Sequence, residues 1–435
     1  MADRPHILIV GGGYVGLYTA FHLQKSLHRG QATVTVVDPT STMTYQPFLP
    51  EAAAGSIEPR HVVIPLRRVL RRTTIVAGRV STVDHHRHVA AVVPAEGDPY
   101  ELPYDVLVMA VGSVSRTLPI PGLAEVGVGF QTIGEAILLR NRVLSRLDLA
   151  ASGSDAARRR RALTFIFVGG GYGGVEAFAE LEDMASYALR YYPELRAGDM
   201  RWILVEATGR ILPEVSVTLA AYTVERLTER GMDVRLNTRL ESATGGRIRL
   251  SDGDVFDADT LVWTAGVRAN PLIAASTGLP VDDKGRVIAT AELRMRGLPD
   301  AWSAGDCAAV PDLSKGEPAL CGPSAQHAVR QAKRLAANIT AALRGAEPEP
   351  YKHSYAGSVA SLGLHKGAAE IYGIRLRGFP AWFMHRTYHV SRVPTLNRKA
   401  RIIADWTLAL FFRREVVPLE QIQSPRAAFE SAARE

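Results

Sequence analysis

Cysteine and long apolar runs are both scarce in this sequence, and each shortage excludes a class of protein. The two cysteines, Cys307 and Cys321, are too few for a disulfide framework and fit a reducing cytoplasm. No apolar run reaches the roughly 18 residues of a membrane span, so we predict no transmembrane helix. The first residues, M-A-D-R-P-H, lead directly into an apolar segment, so we expect no signal peptide.

What is present is typical of a globular protein. The 435 residues are 47% hydrophobic and 22% charged, and this length predicts two or three domains. The net charge is +7, and it is local. Residues 375–414 hold nine Lys or Arg and one Asp, so this segment nets +8 and the rest of the chain nets −1.

Two glycine-rich loops with the spacing G-x-G-x-x-G each follow an apolar run. Their glycines are Gly11, Gly13 and Gly16 in the first loop, and Gly169, Gly171 and Gly174 in the second. The first glycine of this pattern permits a tight turn, the second admits a pyrophosphate, and the third lets a helix pack closely. Two such loops in one chain predict two dinucleotides, with electron transfer between them.

An acidic residue ends the strand that follows each loop. Asp38 lies 22 residues past Gly16, and Glu206 lies 32 residues past Gly174. A carboxylate in this position can accept a hydrogen bond from a ribose 2′-hydroxyl. At Glu206 it favours NADH over NADPH, because it would repel a 2′-phosphate, although Arg210 nearby weakens this inference.

A third segment is also repeated. Asp105–Gly112 reads D-V-L-V-M-A-V-G, and Asp259–Gly266 reads D-T-L-V-W-T-A-G. Both predict a buried strand that ends in a small-residue turn, so Gly112 and Gly266 join the candidate cofactor-binding residues. Three features repeated in the same order predict an α/β fold with two Rossmann-like dinucleotide-binding domains, followed by a C-terminal segment with amphipathic helices.

The chain divides into three regions in this interpretation. The predicted regions are a discontinuous first nucleotide domain (1–118 and 290–345), a second nucleotide domain (119–289) and a C-terminal segment (346–435). Residues 151–161, with four consecutive arginines, and residues 345–350 have the polar composition of linkers. Two short alternating runs, Arg71–Val83 and Arg87–Val93, predict a β-insertion. Thr44–Gly55 contains two prolines and predicts irregular chain, either packed along a flat cofactor ring or a buried connection.

Taken together, these motifs resemble the two-dinucleotide flavoproteins of the disulfide-reductase type. Within that superfamily the chain resembles the type II NADH dehydrogenases, which are single-subunit NADH:quinone oxidoreductases. The more specific segments are P-F-L-P-E-A-A-A-G, W-T-A-G-V-R-A-N-P-L, A-G-D, P-S-A-Q-H-A and G-S-V-A-S-L-G-L-H-K-G-A. The resemblance implies FAD on the first loop, NADH on the second, and a quinone, menaquinone or ubiquinone, as electron acceptor.

The resemblance also implies roles for single residues. It places Asp306 at the ribityl and phosphate region of FAD, and Gln46 and Pro47 beside the isoalloxazine. It places the Ala325 backbone at the flavin edge and Gln326 at the quinone end. Glu176 is our first candidate for supplying or relaying the protons that a quinone requires, and Lys366 is the second. Catalytic candidates are therefore Glu176, Gln326 and Lys366, and no metal is expected.

One position departs from the family pattern. A second Gln commonly lies four residues after the first, but here that position is Arg330, followed by Gln331. A guanidinium is bulky and always charged, so this change bears on the identity of the acceptor more than on NADH oxidation.

The C-terminal segment predicts where the reaction occurs. Besides its basic residues it has many aromatic residues, and Ile402, Trp406 and Leu410 recur at helical spacing, as do Phe379 and Phe383. Basic amphipathic helices with aromatic residues favour an anionic membrane surface, which predicts a peripheral protein on the cytoplasmic face of the membrane, without proton pumping. A dimer or interdomain helix is the other interpretation, and a homodimer stays open.

Three alternatives carry different expectations. A sulfide:quinone or disulfide reductase needs a closely spaced cysteine pair, which Cys307 and Cys321 do not form. A soluble NAD(P)H-dependent reductase of a protein or small molecule fits the core but leaves the basic aromatic segment unexplained. A flavin-based redox sensor with a nucleic-acid surface is disfavoured by the local, aromatic-rich charge, so we expect no nucleic acid partner.

Overall fold

The computed structural model describes residues 4–315, 319–353 and 357–418. The chain forms two compact units, each built from separate segments of the sequence. The first unit combines 1–44, 63–114 and 267–355, and the second combines 45–62, 115–266 and 356–435.

The first unit is organised by a seven-stranded sheet with a parallel core. Its parallel strands lie in the order 301–303, 106–109, 6–10, 33–38 and 74–84, and two antiparallel strands, 89–94 and 100–103, extend the edge. The central strand His6–Val10 is buried almost throughout, because parallel sheets are covered on both faces. The helices Tyr14–Ser26 and Ala325–Ala342 pack against each other in this unit.

The boundaries of the first unit's elements are as follows. Its strands are His6–Val10, Thr33–Asp38, Thr42–Thr44, Val63–Pro65, Thr74–Asp84, Val89–Pro94, Tyr100–Pro103, Val106–Met109, Val267–Ala269, Val287–Ile288, Ala301–Ser303 and Ala308–Ala309. Its α-helices are Tyr14–Ser26, Leu66–Val69, Pro271–Ala274 and Ala325–Ala342. The strand Ser113–Ser115 includes the point in the sequence, after Val114, where the chain passes from the first unit to the second.

The second unit repeats the arrangement with a five-stranded parallel sheet. Its order is 127–128, 260–263, 164–168, 201–205 and 233–235. All five residues of the central strand Thr164–Val168 are buried. Phe165 stacks on Trp202 of the neighbouring strand, with ring centroids 4.3 Å apart, and this aromatic pair lies in the core beneath the helix Tyr172–Ala188.

Among the described residues, the second unit has more α-helices than the first. Its strands are Gly127–Val128, Thr164–Val168, Arg201–Val205, Asp233–Arg235, Leu240–Ser242, Arg247–Leu250, Val255–Asp257, Thr260–Trp263, Gly357–Ser361, Gly367–Ile371 and Ile374–Arg377. Its α-helices are Leu49–Ala53, Leu123–Val126, Ile133–Ser152, Ala156–Ala162, Tyr172–Ala188, Val217–Glu229, Phe379–Arg392 and Leu396–Phe411.

The α/β fold with duplicated parallel sheets and the β-insertion are confirmed, but the units do not follow the predicted domain boundaries. Residues 267–289 belong to the first unit, whereas 45–62 and the C-terminal segment belong to the second. The physical reason is packing. The short helix Leu49–Ala53 contacts Ile133–Ser152 and Tyr172–Ala188, and the strand Gly357–Ser361 also packs on Tyr172–Ala188.

Two local predictions are corrected. Residues 151–161 are not a linker, because Asp155 caps a helix, Ala156–Ala162, that carries the four arginines inside the second unit. Two of these arginines form ion pairs: Arg161 with Asp259 at 2.6 Å and Arg159 with Asp199 at 3.2 Å. The segment 44–55 is not irregular throughout, since it contains a 3₁₀ turn, Gln46–Phe48, and the helix that follows it.

Candidate functional site

The first glycine loop lies at the carboxyl end of strand His6–Val10. Gly11 has a φ of +101°, and a Cβ there would lie 2.5 Å from the Ala110 carbonyl oxygen. A Cβ on Gly16 would lie 1.8 Å from the Gly11 oxygen, so the helix packs on the turn at a distance that only glycine allows. A Cβ on Gly13 would meet no atom within 4 Å. The middle glycine therefore faces open space beside the helix N-terminus, where a pyrophosphate would approach.

The second loop has the same construction. Gly169 has a φ of +120°, and a Cβ on Gly174 would lie 2.1 Å from the Gly169 oxygen. The middle glycine, Gly171, again has no atom within 4 Å of a built Cβ, and it precedes the helix Tyr172–Ala188. The N–H groups at a helix N-terminus favour an anion in this position. Both loops therefore fit a dinucleotide phosphate.

The two acidic strand ends are held in the same way. Asp38 Oδ2 accepts a hydrogen bond from the Gly12 N–H at 2.7 Å, and Glu206 Oε2 accepts one from the Gly170 N–H at 2.7 Å. An ionised carboxylate offers about four acceptor positions, so each group retains capacity for a ribose hydroxyl. Each glycine loop is thus held by a hydrogen bond to its own carboxylate. The number of residues between the loop and the acid in the sequence does not reveal this contact.

A threonine two residues after each acid completes the match, and it was not among the residues predicted from the sequence. Thr40 donates from its N–H and its hydroxyl to Asp38 Oδ1, at 2.8 and 2.9 Å. Thr208 donates the same two hydrogen bonds to Glu206 Oε1, both at 2.8 Å. The signal was available as D-P-T and E-A-T at corresponding positions of the two copies.

Arg210, which weakened the preference for NADH, is occupied elsewhere. Its guanidinium donates to the backbone oxygen of Val215 at 2.8 Å and also to that of Pro213. These contacts hold the segment after the acidic strand end, and they direct the charge to main-chain carbonyls.

The two small-residue turns each contain a glycine with open space beside its Cα. Gly112 and Gly266 have φ values of +63° and +85°, and a Cβ at either position would meet no atom within 4 Å. Gly112 belongs to the first unit and Gly266 to the second. Both can therefore admit a ligand close to the main chain.

Asp306 lies in a short 3₁₀ turn of the first unit. Ser113 Oγ donates to its Oδ2 at 2.9 Å, and burial raises the pKa of this carboxyl despite that hydrogen bond. The preceding N–H, of Gly305, donates to Gln331 Oε1 at 2.7 Å. Gln331 is the neighbour of the family-variant position, and here it is buried and holds the A-G-D turn.

The helix Ala325–Ala342 begins beside this turn. Ser324 caps it by accepting the Gln326 N–H at 3.1 Å, so Ala325 and Gln326 occupy the first helical positions. Arg330 Nη1 lies 3.2 Å from His353 Nδ1, which gives the variant guanidinium a local partner. Gln46 and Pro47 lie in the second unit, where Gln46 Nε2 donates to the Gln131 oxygen at 3.2 Å.

Glu176 is the centre of a buried cluster in the second unit. The helix begins at Tyr172, so Glu176 is its fifth residue. Its Oε1 accepts the Ser361 N–H at 2.9 Å and lies 3.2 Å from His385 Nε2. Burial raises the pKa of Glu176 to about 8, against the opposing effect of the Ser361 hydrogen bond.

The neighbours of Glu176 are also buried and titratable. Burial raises the pKa of Glu51 to about 7, although Arg386 lies 2.9 Å away. Burial lowers the pKa of His385 to about 3, so its imidazole is neutral, and its Nδ1 lies 3.6 Å from Glu51. Glu180, one helical turn after Glu176, accepts from Ser361 Oγ at 2.5 Å. At neutral pH this cluster can hold a proton on a buried carboxyl.

Sequence reasoning found only Glu176 in this cluster. Glu180 could have been predicted to lie near Glu176, because two glutamates four residues apart share one face of a helix. Nothing in the sequence predicts that His385 and Arg386 lie near Glu176, since more than 200 residues separate them from it.

Lys366 does not bind Glu176. Its ammonium contacts Asp183 Oδ1 at 2.5 Å, and Arg414 Nη1 contacts the other oxygen of that carboxylate at 2.9 Å. Burial alone would raise the pKa of Asp183, but Arg414, Lys366 and Arg230 together lower it. Arg414 Nη2 also lies 3.7 Å from Glu180 Oε2, so Lys366 is linked to the Glu176 cluster through Asp183 and Arg414 and not by direct contact.

Comparisons with known proteins agree with this geometry. Residues 5–332 match the family described as pyridine nucleotide-disulphide oxidoreductase. The type II NADH:quinone oxidoreductase Ndh of Mycobacterium tuberculosis is 30% identical over 424 residues, covering 94% of this chain and 89% of that protein. The type II NADH:quinone oxidoreductase of Staphylococcus aureus (strain NCTC 8325 / PS 47) is 28% identical over 397 residues, covering 90% and 96%.

A solved structure shares the fold. It is NDH2 from Plasmodium falciparum in complex with NADH, with a TM-score of 0.88 and 17% identity, covering 95% of this chain and all of that chain. The family match spans residues 5–332 of the 435, and the similarity to the mycobacterial protein extends over 94% of the chain. The chain therefore belongs to the pyridine nucleotide-disulphide oxidoreductases and, among them, to the type II NADH:quinone oxidoreductases.

Proposed function

We propose that this protein oxidises NADH with a bound FAD and delivers two electrons to a quinone. The observation that carries the proposal is the pair of carboxylate-closed glycine loops, one in each unit, in a chain of this family. When bound, FAD accepts a hydride from NADH and returns two electrons to the acceptor. The protein's own residues bind and orient the two dinucleotides and supply protons to the quinone.

The function is tested by NADH oxidation under argon with a water-soluble quinone as acceptor. We expect NADH consumption to match quinone reduction in a ratio of about one to one, since each transfers two electrons. NADH oxidation that proceeds with ferricyanide or ferredoxin but never with quinone would instead indicate a soluble reductase.

The first unit supplies the FAD site in this proposal. Gly13 leaves room for the pyrophosphate, Asp38 accepts a ribose hydroxyl, and Asp306 lies in the turn assigned to the ribityl region. Ala325 and Gln326 would then present the start of their helix to the ring. The resemblance to the family is the ground for proposing Gln46 and Pro47 beside the isoalloxazine.

The second unit supplies the NADH site. Gly171 leaves room for the phosphates, and Glu206 keeps acceptor capacity for an adenosine ribose hydroxyl. A 2′-phosphate would meet this carboxylate, while Arg210 donates to main-chain oxygens. This arrangement favours NADH over NADPH.

Glu176 is the proposed proton donor on the acceptor side. Burial raises its pKa to about 8, so the carboxyl carries a proton at neutral pH and is matched to general acid catalysis there. The neutral imidazole of His385 lies 3.2 Å from this carboxyl. Lys366 binds Asp183, and we propose for it a supporting role through that carboxylate.

The role of Glu176 is tested with Glu176→Gln in the two half-reactions. Flavin reduction by NADH should keep its rate, whereas reoxidation by quinone should slow by about 10²-fold, within the usual range for a general acid. If both half-reactions keep the wild-type rate, Glu176 has no such role. Flavin content measured from the absorbance spectrum verifies that the variant still binds its cofactor.

The quinone is proposed to be reached from a membrane surface. Within the described residues no helix is long and apolar enough to cross a bilayer. The helix Leu396–Phe411 nevertheless exposes large apolar side chains at its end, with Phe411 and Phe412 79% and 68% exposed. Arg413 and Arg401 are also exposed, and each basic residue near an anionic surface contributes about 1 kcal/mol.

The proposed surface includes fewer of these residues than the sequence pattern predicted. Ile402 is fully buried, and Trp406 Nε1 donates to Glu51 Oε2 at 3.1 Å, so this part of the predicted apolar stripe faces the protein. Arg386 and Arg414 are also turned inward, which leaves seven of the nine basic residues for the surface. Phe379 and Phe383 are exposed, as a membrane-facing role requires.

Sedimentation with vesicles containing anionic lipid tests the membrane proposal. The double variant Phe411→Ser and Phe412→Ser should bind at least about tenfold more weakly, because each phenyl ring buried in lipid contributes about 1.5–3 kcal/mol. Val217→Ser, which also removes an exposed apolar side chain in the second unit, is the control and should bind as the wild type. Equal binding by the double variant would contradict the proposal.

A further inference from the structure

A hairpin turn in the first unit brings two histidines and an aspartate together. The sequence D-H-H-R-H, residues 84–88, joins strands Thr74–Asp84 and Val89–Pro94. His85 Nε2 lies 3.4 Å from Asp300 Oδ1, and His88 Nε2 lies 3.2 Å from Asp300 Oδ2. The two imidazole rings stack, with centroids 4.9 Å apart and an interplanar angle of 15°. Three potential ligand atoms therefore converge.

Each of the two histidine-to-aspartate separations is close to one edge of a tetrahedral coordination sphere, with each histidine facing a different oxygen of Asp300, and one ligand atom from each residue lies within 4.8 Å of the other two. Zinc bonds to histidine nitrogen and carboxylate oxygen are about 2.0–2.1 Å long, which separates two ligand atoms by roughly 3.3 Å in a tetrahedron. The observed contacts of 3.4 and 3.2 Å fit that value. A direct N–H···O hydrogen bond normally measures about 2.7–3.2 Å, so these contacts lie at or beyond its long limit.

Other contacts fix the orientation of the imidazoles. His85 is 5% exposed, and its Nδ1 lies 3.0 Å from the hydroxyl of Tyr104, which directs Nε2 to Asp300. Metal-bound histidines usually have such a partner on the second nitrogen. His88 adopts a φ of +54°, unusual for a residue with a side chain, and its carbonyl accepts the Tyr104 N–H at 3.0 Å. Its ring is 42% exposed, which leaves an entry path for an ion.

We propose that His85, His88 and Asp300 bind a divalent first-row transition metal ion such as Zn²⁺, with water as a fourth ligand. Two imidazoles and one carboxylate suit zinc and disfavour Mg²⁺ and Ca²⁺, which prefer oxygen ligands. The site is structural. Asp300 directly precedes strand Ala301–Ser303, at the amino end of the parallel sheet, whereas the glycine loop of this unit follows the carboxyl end of strand His6–Val10.

The consequence is a metal-dependent gain in stability. The ion would join the hairpin turn to the start of a core strand, and it binds the folded state in preference to the unfolded chain. Saturation a hundredfold above the dissociation constant should raise the thermal unfolding midpoint by roughly 5 °C. NADH turnover and flavin content should not change.

The test uses the full-length flavoprotein without an affinity tag, treated with chelator and then titrated with Zn²⁺. The thermal unfolding midpoint should rise with Zn²⁺ in the wild type. It should rise equally in the matched control His86→Gln, which replaces the exposed histidine of the same turn. His88→Gln and Asp300→Asn should each abolish it. His88→Gln should keep wild-type flavin content and activity, which shows that loss of the rise is not loss of the fold.

A second cluster must be distinguished, because Asp312, Cys321 and His327 also place ligand atoms within 4.8 Å of one another. Co²⁺ separates the two, since only the second cluster contains sulfur and would show thiolate-to-cobalt absorption. Cys321→Ser should keep the Zn²⁺-dependent rise. The proposal is overturned if the rise is absent in the wild type, if it survives in both His88→Gln and Asp300→Asn, or if only Cys321→Ser removes it.

Discussion

Replacing Glu176 by Gln tests the electrostatic state of the buried cluster through stability alone. The carboxyl is buried, and its pKa in the folded protein is about 8, against an ordinary value of 4.5. Between these two values the folded state holds a proton that the unfolded state releases. Its contribution to stability is therefore complete below pH 4.5 and is lost as the pH rises through 8.

The magnitude follows from the linkage between protons and folding. Each pH unit in this interval lowers the wild-type free energy of unfolding by about 1.4 kcal/mol through Glu176 alone. Glutamine cannot ionise and keeps an oxygen that can accept the Ser361 N–H. From pH 5 to pH 8 the variant should therefore gain about 4 kcal/mol relative to the wild type, and little more above pH 8. Glu51 and Glu180 are present in both proteins, so their own titration largely cancels.

Urea unfolding of the FAD-saturated proteins at pH 5, 6, 7 and 8 measures this difference. Glu225→Gln, on an exposed helix face, is the control for removing a carboxylate without changing the buried cluster. A Glu176→Gln difference that stays constant across the four pH values would refute the reasoning, because it would mean that the carboxyl is ionised in the fold.

Three further predictions concern the NADH loop and the carboxylate that binds it. Gly171→Val should fold normally, because a Cβ there meets no protein atom within 4 Å, but it should raise KM for NADH at least about tenfold by filling the phosphate space. Gly174→Ala should instead lower the thermal unfolding midpoint, since its Cβ would lie 2.1 Å from the Gly169 oxygen. Steady-state kinetics measures KM for the first variant, and calorimetry measures the unfolding midpoint of the second. A lowered midpoint in Gly171→Val together with a raised KM in Gly174→Ala would contradict the assignment. Glu206→Ala should lower kcat/KM for NADH by about tenfold, as expected for losing one charge-assisted hydrogen bond, and should lower it less for NADPH. Equal losses with both cofactors would show that Glu206 does not read the ribose.

The features that could be predicted from the sequence are those fixed by local geometry. The turn after strand His6–Val10 needs Gly11 because of its positive φ, and the helix needs Gly16 because a Cβ would strike the turn. Such requirements are met within a few residues of chain, so spacing alone reveals them. Asp38 and Glu206 followed because each ends the strand next to its loop.

The buried cluster could not be predicted in the same way. Glu51, Glu176 and His385 come from three distant segments, and only packing of the second unit brings them together. The basic composition of the C-terminal segment predicted that Arg386 and Arg414 are surface charges. In the fold both side chains are buried beside carboxylates.

The C-terminal helix shows why a periodic pattern leaves its own direction open. Ile402, Trp406 and Leu410 share one face of the helix, but spacing does not say whether that face meets lipid or protein. In the structure Ile402 is buried and Leu410 is 70% exposed, so the stripe begins in the core and ends at the surface. The arginines of 158–161 were assigned to a linker from their charge, but Asp155 caps a helix that contains them.

The central claim is that one protein carries electrons from NADH through its flavin to a quinone, and rapid mixing of the flavoprotein under anaerobic conditions tests it most directly. The purified protein is first reduced with one equivalent of NADH, which should bleach the flavin absorbance. It is then mixed with a menaquinone analogue. We predict that the flavin absorbance returns fully with one equivalent of quinone, since both transfers involve two electrons. Flavin that is reduced by NADH but stays reduced in the presence of the quinone would contradict the account.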